Sequence, residues 1–367
     1  MTNLTAITRV ATATRSLALP QPLQLGAMTV TRREYAAVQV EAADGIRGQS
    51  YALSREAPMA EIIDRLVTPH VLGADSDDPE TVWDRAIRGS AIVGRVGLVR
   101  RAIGLVDVAL WDITGQRAGK PVWELLGSGD APRPAMLVAA YPTPGKSVSE
   151  VVDEVVGQAA EGWPLVKISR SPDNAFMREL LSRLREELPE ATGLVVDVGF
   201  GWRDSDQALA DLREWGDLDL AWLEDPLLPE DVEGCARIRK GSGLTVAVGD
   251  EVTDPRVLRA LVEHEAVDVI RLDVVAIGGI TAAHRLVDWA AARGTAVSCH
   301  VYPEVSVHLG VGVETFNRGA SGNPYDPSPS LVRGGPAFDS GWASPPSAPG
   351  LGFTLDPELF DFAGGVS

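Results

Sequence analysis

Residues 193–225, GLVVDVGFGWRDSDQALADLREWGDLDLAWLED, hold one strand–helix–strand unit whose two strands both finish on a carboxylate, Asp197 and Glu224. Its outer runs are short and apolar, and the stretch between them recurs at helical spacing. The same unit repeats in both directions. AMLVAAY (135–141) and PLVKIS (164–169) precede it. LTVAVGD (244–250), VDVIRLD (267–273) and TAVSCH (295–300) follow, each trailed by a helical pattern such as ITAAHRLVDWAAARG (280–294). The helix after AMLVAAY begins with Ser147 and Glu150 at capping-box spacing and stops near Gly162. Seven or more strands in series, each with a crossover helix, predict a closed parallel barrel. An open doubly wound sheet is the alternative at this point.

The flanks differ in pattern. Thr5 to Leu19 is strand-like, PQPLQLGAMT (20–29) reads as a loop, and YAAVQVEAADGIRGQSY (35–51) alternates around Asp44-Gly45 as a hairpin. Segments Glu56–Val67, Pro79–Ile92 and Val96–Arg117 then recur at helical spacing. Strands followed by a run of helices make a separate α+β unit. From about Gly319 the chain turns rich in Gly, Pro and Ser, as in GASGNPYDPSPS and SPPSAPGLG, and leaves the barrel. The expected division is 1–128 for the α+β unit, 129–345 for the barrel and 346–367 for a tail.

Composition narrows the function. The 367 residues are 45% hydrophobic and carry a net charge of −18, so a large core can form while phosphate backbones and anionic lipid are repelled. Two cysteines, Cys235 and Cys299, exclude a disulfide framework and a Cys-rich zinc site. No apolar run reaches the roughly 18 residues of a membrane span. The opening MTNLTAITRV has neither the basic start nor the apolar stretch of a signal peptide. The expectation is a cytoplasmic protein that binds neither nucleic acid nor membrane.

The chemistry lies at the strand ends. Asp197, Glu224, Asp250, Asp273 and His300 close five successive strands at spacings of 27, 26, 23 and 27 residues. One acid entering a loop is ordinary. Five in register place their side chains at one barrel mouth, where three carboxylates would repel one another without a divalent cation. Ligands that are all oxygen suit Mg²⁺, which keeps positions open for substrate oxygens. Asp273 and His300 stand one repeat apart, so their side chains are expected to meet across neighbouring strands and make an oriented general base. The other histidines, His70, His264, His284 and His308, read as surface or packing residues. Lys167 and Ser169, two apart on PLVKIS, both face the barrel interior. There Lys167 either pairs with a carboxylate or acts on substrate.

With these residues in view, the chain resembles the mandelate racemase/muconate lactonizing enzyme family of the enolase superfamily over nearly its whole length. The similarity rests on AIGLVDVALWDITGQRAGKPVWELLG (102–127), VDVGFGW (196–202), WLEDPLLPED (222–231), AVGDE (247–251), RLDVVAIGGIT (271–281), SCHVYPE (298–304) and PGLGFTLD (349–356). The resemblance implies a (β/α)7β barrel under an N-terminal α+β capping domain, to which the tail returns. It implies Mg²⁺ held by Asp197, Glu224 and Asp250, and removal of the proton next to a substrate carboxylate to give an enediolate. Asp273–His300 is similar to the dyad of the mandelate racemase subgroup. Lys167 matches the first lysine of the family's K-x-K motif, and Glu314 matches the acid after strand eight that hydrogen-bonds the substrate carboxylate. Ser169 departs from the pattern, because a second lysine, the base opposite the histidine, stands there in the family. Gly199 departs too, where an asparagine often follows the first ligand.

A serine hydroxyl is far too weak a base near neutral pH to replace a lysine. The leading expectation is therefore dehydration of a hydroxy acid or acid sugar, with His300 removing the α-proton and then protonating the departing β-hydroxyl. A carboxylic acid racemase or epimerase is the second reading. A barrel that binds metal and carboxylate without turnover is the third. Arg32 and Arg33 stand only at the end of the first capping loop, which tilts the expected substrate toward monoacids. The family resemblance also implies a homo-oligomer, between a dimer and an octamer.

Overall fold

The structure is a computed structural model that describes residues 4–25, 28–216, 218–316 and 324–361. Its N-terminal sheet runs β1 (Ile7–Leu25), β2 (Met28–Ala42) and β3 (Arg47–Leu53), all antiparallel. The β2–β3 turn falls on Asp44-Gly45, where Gly45 takes φ 86° and donates to Ala42 O at 2.9 Å. Where a loop is expected at residues 20–29, residues 20–25 and 28–29 instead belong to the paired strands β1 and β2. Pro20 and Pro22 lie within a register irregularity between Ala18 and Leu23, so prolines that cannot donate stay out of the ladder. Residues 26–27 lie outside the described residues.

The first expected helix starts later, because Arg55 and Glu56 adopt φ of 55° and 60°, outside the helical region. It runs as α1 (Met59–Ile62), a π-turn at Ile63–Val67 and α2 (Thr68–Val71). α3 (Pro79–Gly89) is capped by Asp78, which accepts from Thr81 N at 3.0 Å. α4 (Leu98–Ala118) is buried along most of its length and closes on Gly119 in the left-handed conformation, and the one-turn α5 (Val122–Leu125) follows. Each fully buried Leu or Ile on it, such as Ile103, Leu105, Leu110 and Ile113, contributes about 1.5–3 kcal/mol. Backbone comes very close on two sides. A Cβ on Gly104 would stand 2.2 Å from Val275 O, and one on Gly48 would stand 1.9 Å from Ala109 O.

Among the described residues, eight parallel strands form the barrel: β4 (Arg133–Ala140), β5 (Leu165–Ser169), β6 (Gly193–Asp197), β7 (Trp222–Glu224), β8 (Val246–Val248), β9 (Val269–Leu272), β10 (Ala296–Cys299) and β11 (Val313–Phe316). Neighbours follow chain order. β11 pairs back onto β4, and the Ser298–Gly312 bridge joins it to β10, so the sheet closes and the open alternative is excluded. Helices α6 (Val148–Ala159) to α11 (Ile280–Ala291) cross over on the outside, and the capping box on α6 is formed in both directions. The seventh connection holds only α12 (Pro303–Ser306) and a 3-10 turn at Val307–Leu309. That short link explains how Glu314 reaches the barrel soon after His300. Inside, Met136, Val195, Trp222, Ala247 and Val269 pack into an apolar floor beneath the mouth.

α4 and the C-terminal segment tie the two parts together. Asp107 accepts from Thr281 N at 2.9 Å and from its Oγ1 at 2.6 Å, and Asp112 accepts from Gln49 N at 3.0 Å and Leu351 N at 2.9 Å. β15 (Phe353–Leu355) pairs with β12 (Val332–Gly334), and Leu355 N donates to Gln49 Oε1 at 2.9 Å. Between these, the hairpin β13 (Ala337–Asp339) and β14 (Trp342–Ser344) lies antiparallel on the start of β4.

His308 joins three segments at once. Its Nδ1 accepts from Trp123 N at 3.1 Å, which leaves Nε2–H to donate to Leu351 O at 3.1 Å. Burial favours the neutral ring and lowers its pKa from 6.5 to about 4. The unfolded chain therefore binds more protons between these values, and stability must fall as pH drops through that window, by about 3 kcal/mol in full. Replacing His308 by Gln removes this titration. The expected outcome is a flatter fall of Tm between pH 6.5 and 4 than in the wild type, and parallel curves would contradict it.

Candidate active site

The register of the barrel brings the acidic strand ends to one level. Ser169 pairs with Asp197 and Asp197 with Glu224 along β5, β6 and β7, while Asp250 follows β8 by two residues. Carboxylate oxygens of Asp197, Glu224 and Asp250 lie within 4.8 Å of one another. Glu224 is fully buried and Asp250 nearly so. Asp250 Oδ1 is buried and makes no hydrogen bond, with Arg271 Nε 3.4 Å away as an ion-pair contact only. Three oxygen donors, one of them making no hydrogen bond, fit a hard divalent cation such as Mg²⁺.

Two cations face the cluster from below. Lys167 Nζ touches Glu224 and lies 3.1 Å from Asp197, 2.9 Å from Glu314 and 3.7 Å from Asp250. Burial opposes its charge, but Asp197, Glu224, Glu314 and Asp250 outweigh that effect and hold its pKa well above the usual lysine range. It therefore stays an ammonium. Arg271, fully buried, lies 3.2 Å from Glu224, 3.4 Å from Asp250 and 2.5 Å from Glu314, and donates to Ser298 Oγ at 2.8 Å. The sequence reading passed over Arg271. Its signal was available, since it stands two residues before Asp273 on β9 and so faces the same interior.

His300 sits at the rim, with Nδ1 2.9 Å from Asp250 Oδ2 and 3.3 Å from Glu314 Oε1, and Nε2 3.7 Å from Glu251 Oε1. Burial works against its protonation, yet the charges of Asp250 and Glu314 prevail and raise its pKa well above 6.5. The expected Asp273–His300 contact is not formed among the described residues. His300 N does bond Leu272 O at 2.9 Å, so the strands are neighbours. The Asp273 carboxylate, however, is engaged elsewhere: Oδ1 accepts from Val275 N at 3.0 Å and Ala276 N at 2.9 Å, and Oδ2 faces Arg101 Nη1 at 3.5 Å. The imidazole turns instead to the larger negative field of Asp250 and Glu314. Burial, helped by the charge of Glu251, raises the Asp273 carboxyl above its usual range although Arg101 and His300 pull it down.

Further residues at the mouth escaped the sequence reading. Arg101 from α4 lies 2.5 Å from Glu251 Oε2, and Arg55, from the turn before α1, pairs with the other oxygen. Asp225 accepts from Gly249 N at 2.8 Å and Asp250 N at 3.3 Å, which fixes the backbone of Asp250. Phe200, Asp225, Glu251, Val301 and Tyr302 all have positive φ, at 60°, 42°, 63°, 48° and 46°. Such strain in non-glycine residues gathers where geometry is over-determined by function. Ser169 is half-buried and makes no side-chain hydrogen bond among the described residues. The cluster opens into a cavity of about 430 Å³ under the capping domain, whose wall includes Arg33 and Arg55. In the sequence Arg33 stands at the end of the first capping loop with no clamp in view, and the fold brings it into the cavity wall.

Fold and site together define a capped βα-barrel with a carboxylate metal centre. A family model described as enolase C-terminal domain-like matches residues 150–359, and one for the mandelate racemase/muconate lactonizing enzyme N-terminal domain matches residues 7–127. The chain belongs to the mandelate racemase/muconate lactonizing enzyme family of the enolase superfamily and is an enzyme of that kind. A 3,6-anhydro-alpha-L-galactonate cycloisomerase of Streptomyces coelicolor is 30% identical, over 88% of this chain and 89% of the relative. An L-talarate/galactarate dehydratase of Salmonella typhimurium is 30% identical over 74% of this chain and 68% of its own length. A racemase from Streptomyces coelicolor solved with bound magnesium superposes with a TM-score of 0.87 at 28% identity, over 97% of this chain and 99% of that one. An L-talarate dehydratase from Polaromonas, solved with Mg and L-glucarate, gives a TM-score of 0.85 at 26% identity, over 96% of each chain. Among the described residues no helix is long and apolar enough to cross a membrane.

A cation bound by the three carboxylates should stabilise the fold. With Mg²⁺ at a hundred times its Kd, the gain is about 2.7 kcal/mol over chelated protein. Titration calorimetry and thermal melts with and without EDTA measure it. Glu224→Gln should weaken the binding and shrink the shift, and a wild-type melt indifferent to Mg²⁺ would refute the site.

Proposed function

We propose that the protein is a Mg²⁺-dependent lyase or isomerase that removes the proton next to the carboxylate of a hydroxy acid or acid sugar, and that dehydration follows through a single base, His300. One observation carries this reading: a rim imidazole and a buried lysine flank the same three carboxylates, while Ser169 occupies the opposite strand position where a second base would stand.

Asp197, Glu224 and Asp250 would hold the cation. Bound there, it would stabilise the negative charge that develops on the substrate carboxylate as the α-proton leaves. The Lys167 ammonium faces the same charge from below and adds to its stabilisation in a water-poor site. Arg271 keeps Glu224, Asp250 and Glu314 tolerable as neighbours. Glu314 presents a second carboxylate near His300, suited to hold a substrate carboxyl proton or a bridging hydroxyl.

His300 takes the α-proton when its ring is neutral. The resulting imidazolium then donates that proton to the β-oxygen as the Cα–Cβ double bond forms, and one water leaves. Asp273 acts on His300 through its charge from the neighbouring strand, itself positioned by two backbone amides and by Arg101.

A second reading, cycloisomerisation, is favoured by the similarity to the cycloisomerase of Streptomyces coelicolor. Its first step is the same, but the departing β-oxygen belongs to a ring of the substrate, so no water is lost. Product mass separates the two.

Both readings place the only base on the His300 face. Incubated in D2O with sugar acids epimeric at the α-carbon, the protein should exchange or eliminate one α-configuration and leave the other untouched by NMR. His300→Asn should lower exchange and turnover by about 10²–10⁴-fold or more. Rapid exchange of both epimers would reveal a second base and favour an epimerase. Unaltered exchange in His300→Asn would sink the assignment.

A further inference from the structure

Three permanent cations among the described residues line the active-site cavity: Lys167, Arg55 and Arg33. Two are already neutralised. Lys167 lies within ion-pair distance of four carboxylates, and Arg55 pairs with Glu251. Arg33 differs. It projects from β2, opposite Leu17 in the hairpin arm, is half-buried, and has no carboxylate within ion-pair distance among the described residues. Its guanidinium carbon lies 5.0 Å from the centroid of the Phe316 ring. Stacking on an aromatic face fixes the plane of a guanidinium and leaves its N–H edges free to donate. A half-buried, pre-oriented arginine without a counter-ion, in the wall of a substrate cavity, is built to receive an anion.

Its height above the reacting centre sets which anion. Phe316 and Glu314 are two apart on β11 and both line the cavity, so Phe316 stands one pleat nearer the mouth, about 6.7 Å up the strand. A substrate whose reacting carboxylate lies at the level of Lys167 and Glu314 would reach Arg33 with the far end of a five- or six-carbon chain. A neutral hydroxymethyl there would leave the guanidinium half-buried and unpaired. A carboxylate would accept a bidentate pair.

We infer that Arg33 is the specificity determinant for a second, distal carboxylate, and that the preferred substrates are sugar diacids rather than monoacids. The inference rests on the proposed chemistry for its substrate class and reverses the monoacid expectation drawn from the sequence.

The test compares galactarate with galactonate, which differ only in the oxidation state of the far carbon, and glucarate with gluconate. Steady-state turnover and titration calorimetry are both read on the Mg²⁺-supplemented protein. The wild type should favour the diacid of each pair by at least about tenfold in kcat/KM and in Kd. Arg33→Met keeps the stem over Phe316 and removes the charge. It should cut the diacid-to-monoacid ratio by about 10- to 100-fold, chiefly through KM, as loss of a charge-assisted hydrogen-bonded pair implies. Arg33→Lys should restore part of the ratio, and Arg32→Met, at an exposed neighbour, should leave it as in the wild type.

A wild type that prefers the monoacids, or a ratio indifferent to Arg33→Met, overturns the inference even if α-proton removal proceeds. If neither acid turns over but calorimetry shows the diacid preference and its loss in Arg33→Met, the subsite stands and the proposed reaction falls. Failure to bind either acid overturns the subsite.

Discussion

Negative charge is concentrated at one end of this barrel, and the rest of the molecule is arranged around that fact. Asp197, Glu224, Asp250 and Glu314 crowd a space in which bare carboxylates could not coexist ionised. Lys167 and Arg271 meet them from the barrel interior, and Arg101 and Arg55 meet Glu251 and Asp273 from the capping domain. Four carboxylates still face only these two interior cations, and Asp250 Oδ1 makes no hydrogen bond although Arg271 Nε lies 3.4 Å away. A divalent cation completes such an arrangement with little reorganisation, because the ligands are already held together.

The capping domain takes part in this charge balance. α4 is wedged between the N-terminal sheet and the loop after β9, close enough that only glycine fits at position 104. That fit delivers Arg101 to Asp273 and locks Asp107 onto Thr281, at the start of α11. Arg55 arrives from a turn whose left-handed residues end β3 and delay the next helix. The barrel thus supplies the acids and the capping domain supplies part of their counter-charge.

In the proposed reaction, the asymmetry across the mouth sets the face from which the proton leaves. On one face stands His300, its ring between Asp250, Glu314 and Glu251. On the other stands Ser169, which can neither accept nor hold a proton near neutrality. The cavity also reaches Phe316 and, stacked on its ring, Arg33.

The sequence by itself determined the barrel and most of its mouth. Regular spacing of apolar strands forces the repeat, and an acid at each strand end can only point to the C-terminal rim, so Asp197, Glu224 and Asp250 were legible as a set. Glu314 was legible only through family resemblance, because a one-turn α12 breaks the regular spacing. The tertiary structure decided what spacing cannot encode. The first hairpin continues through Pro20 and Pro22 because a bulge takes them out of the ladder. Asp273 turns to Arg101 and two backbone amides rather than to His300, a choice made by a helix some 170 positions away in the chain. Arg271 and Arg33 became part of the site for the same reason. A charge buried between distant segments is stabilised by partners that local pattern does not name, and only the folded packing brings those partners into reach.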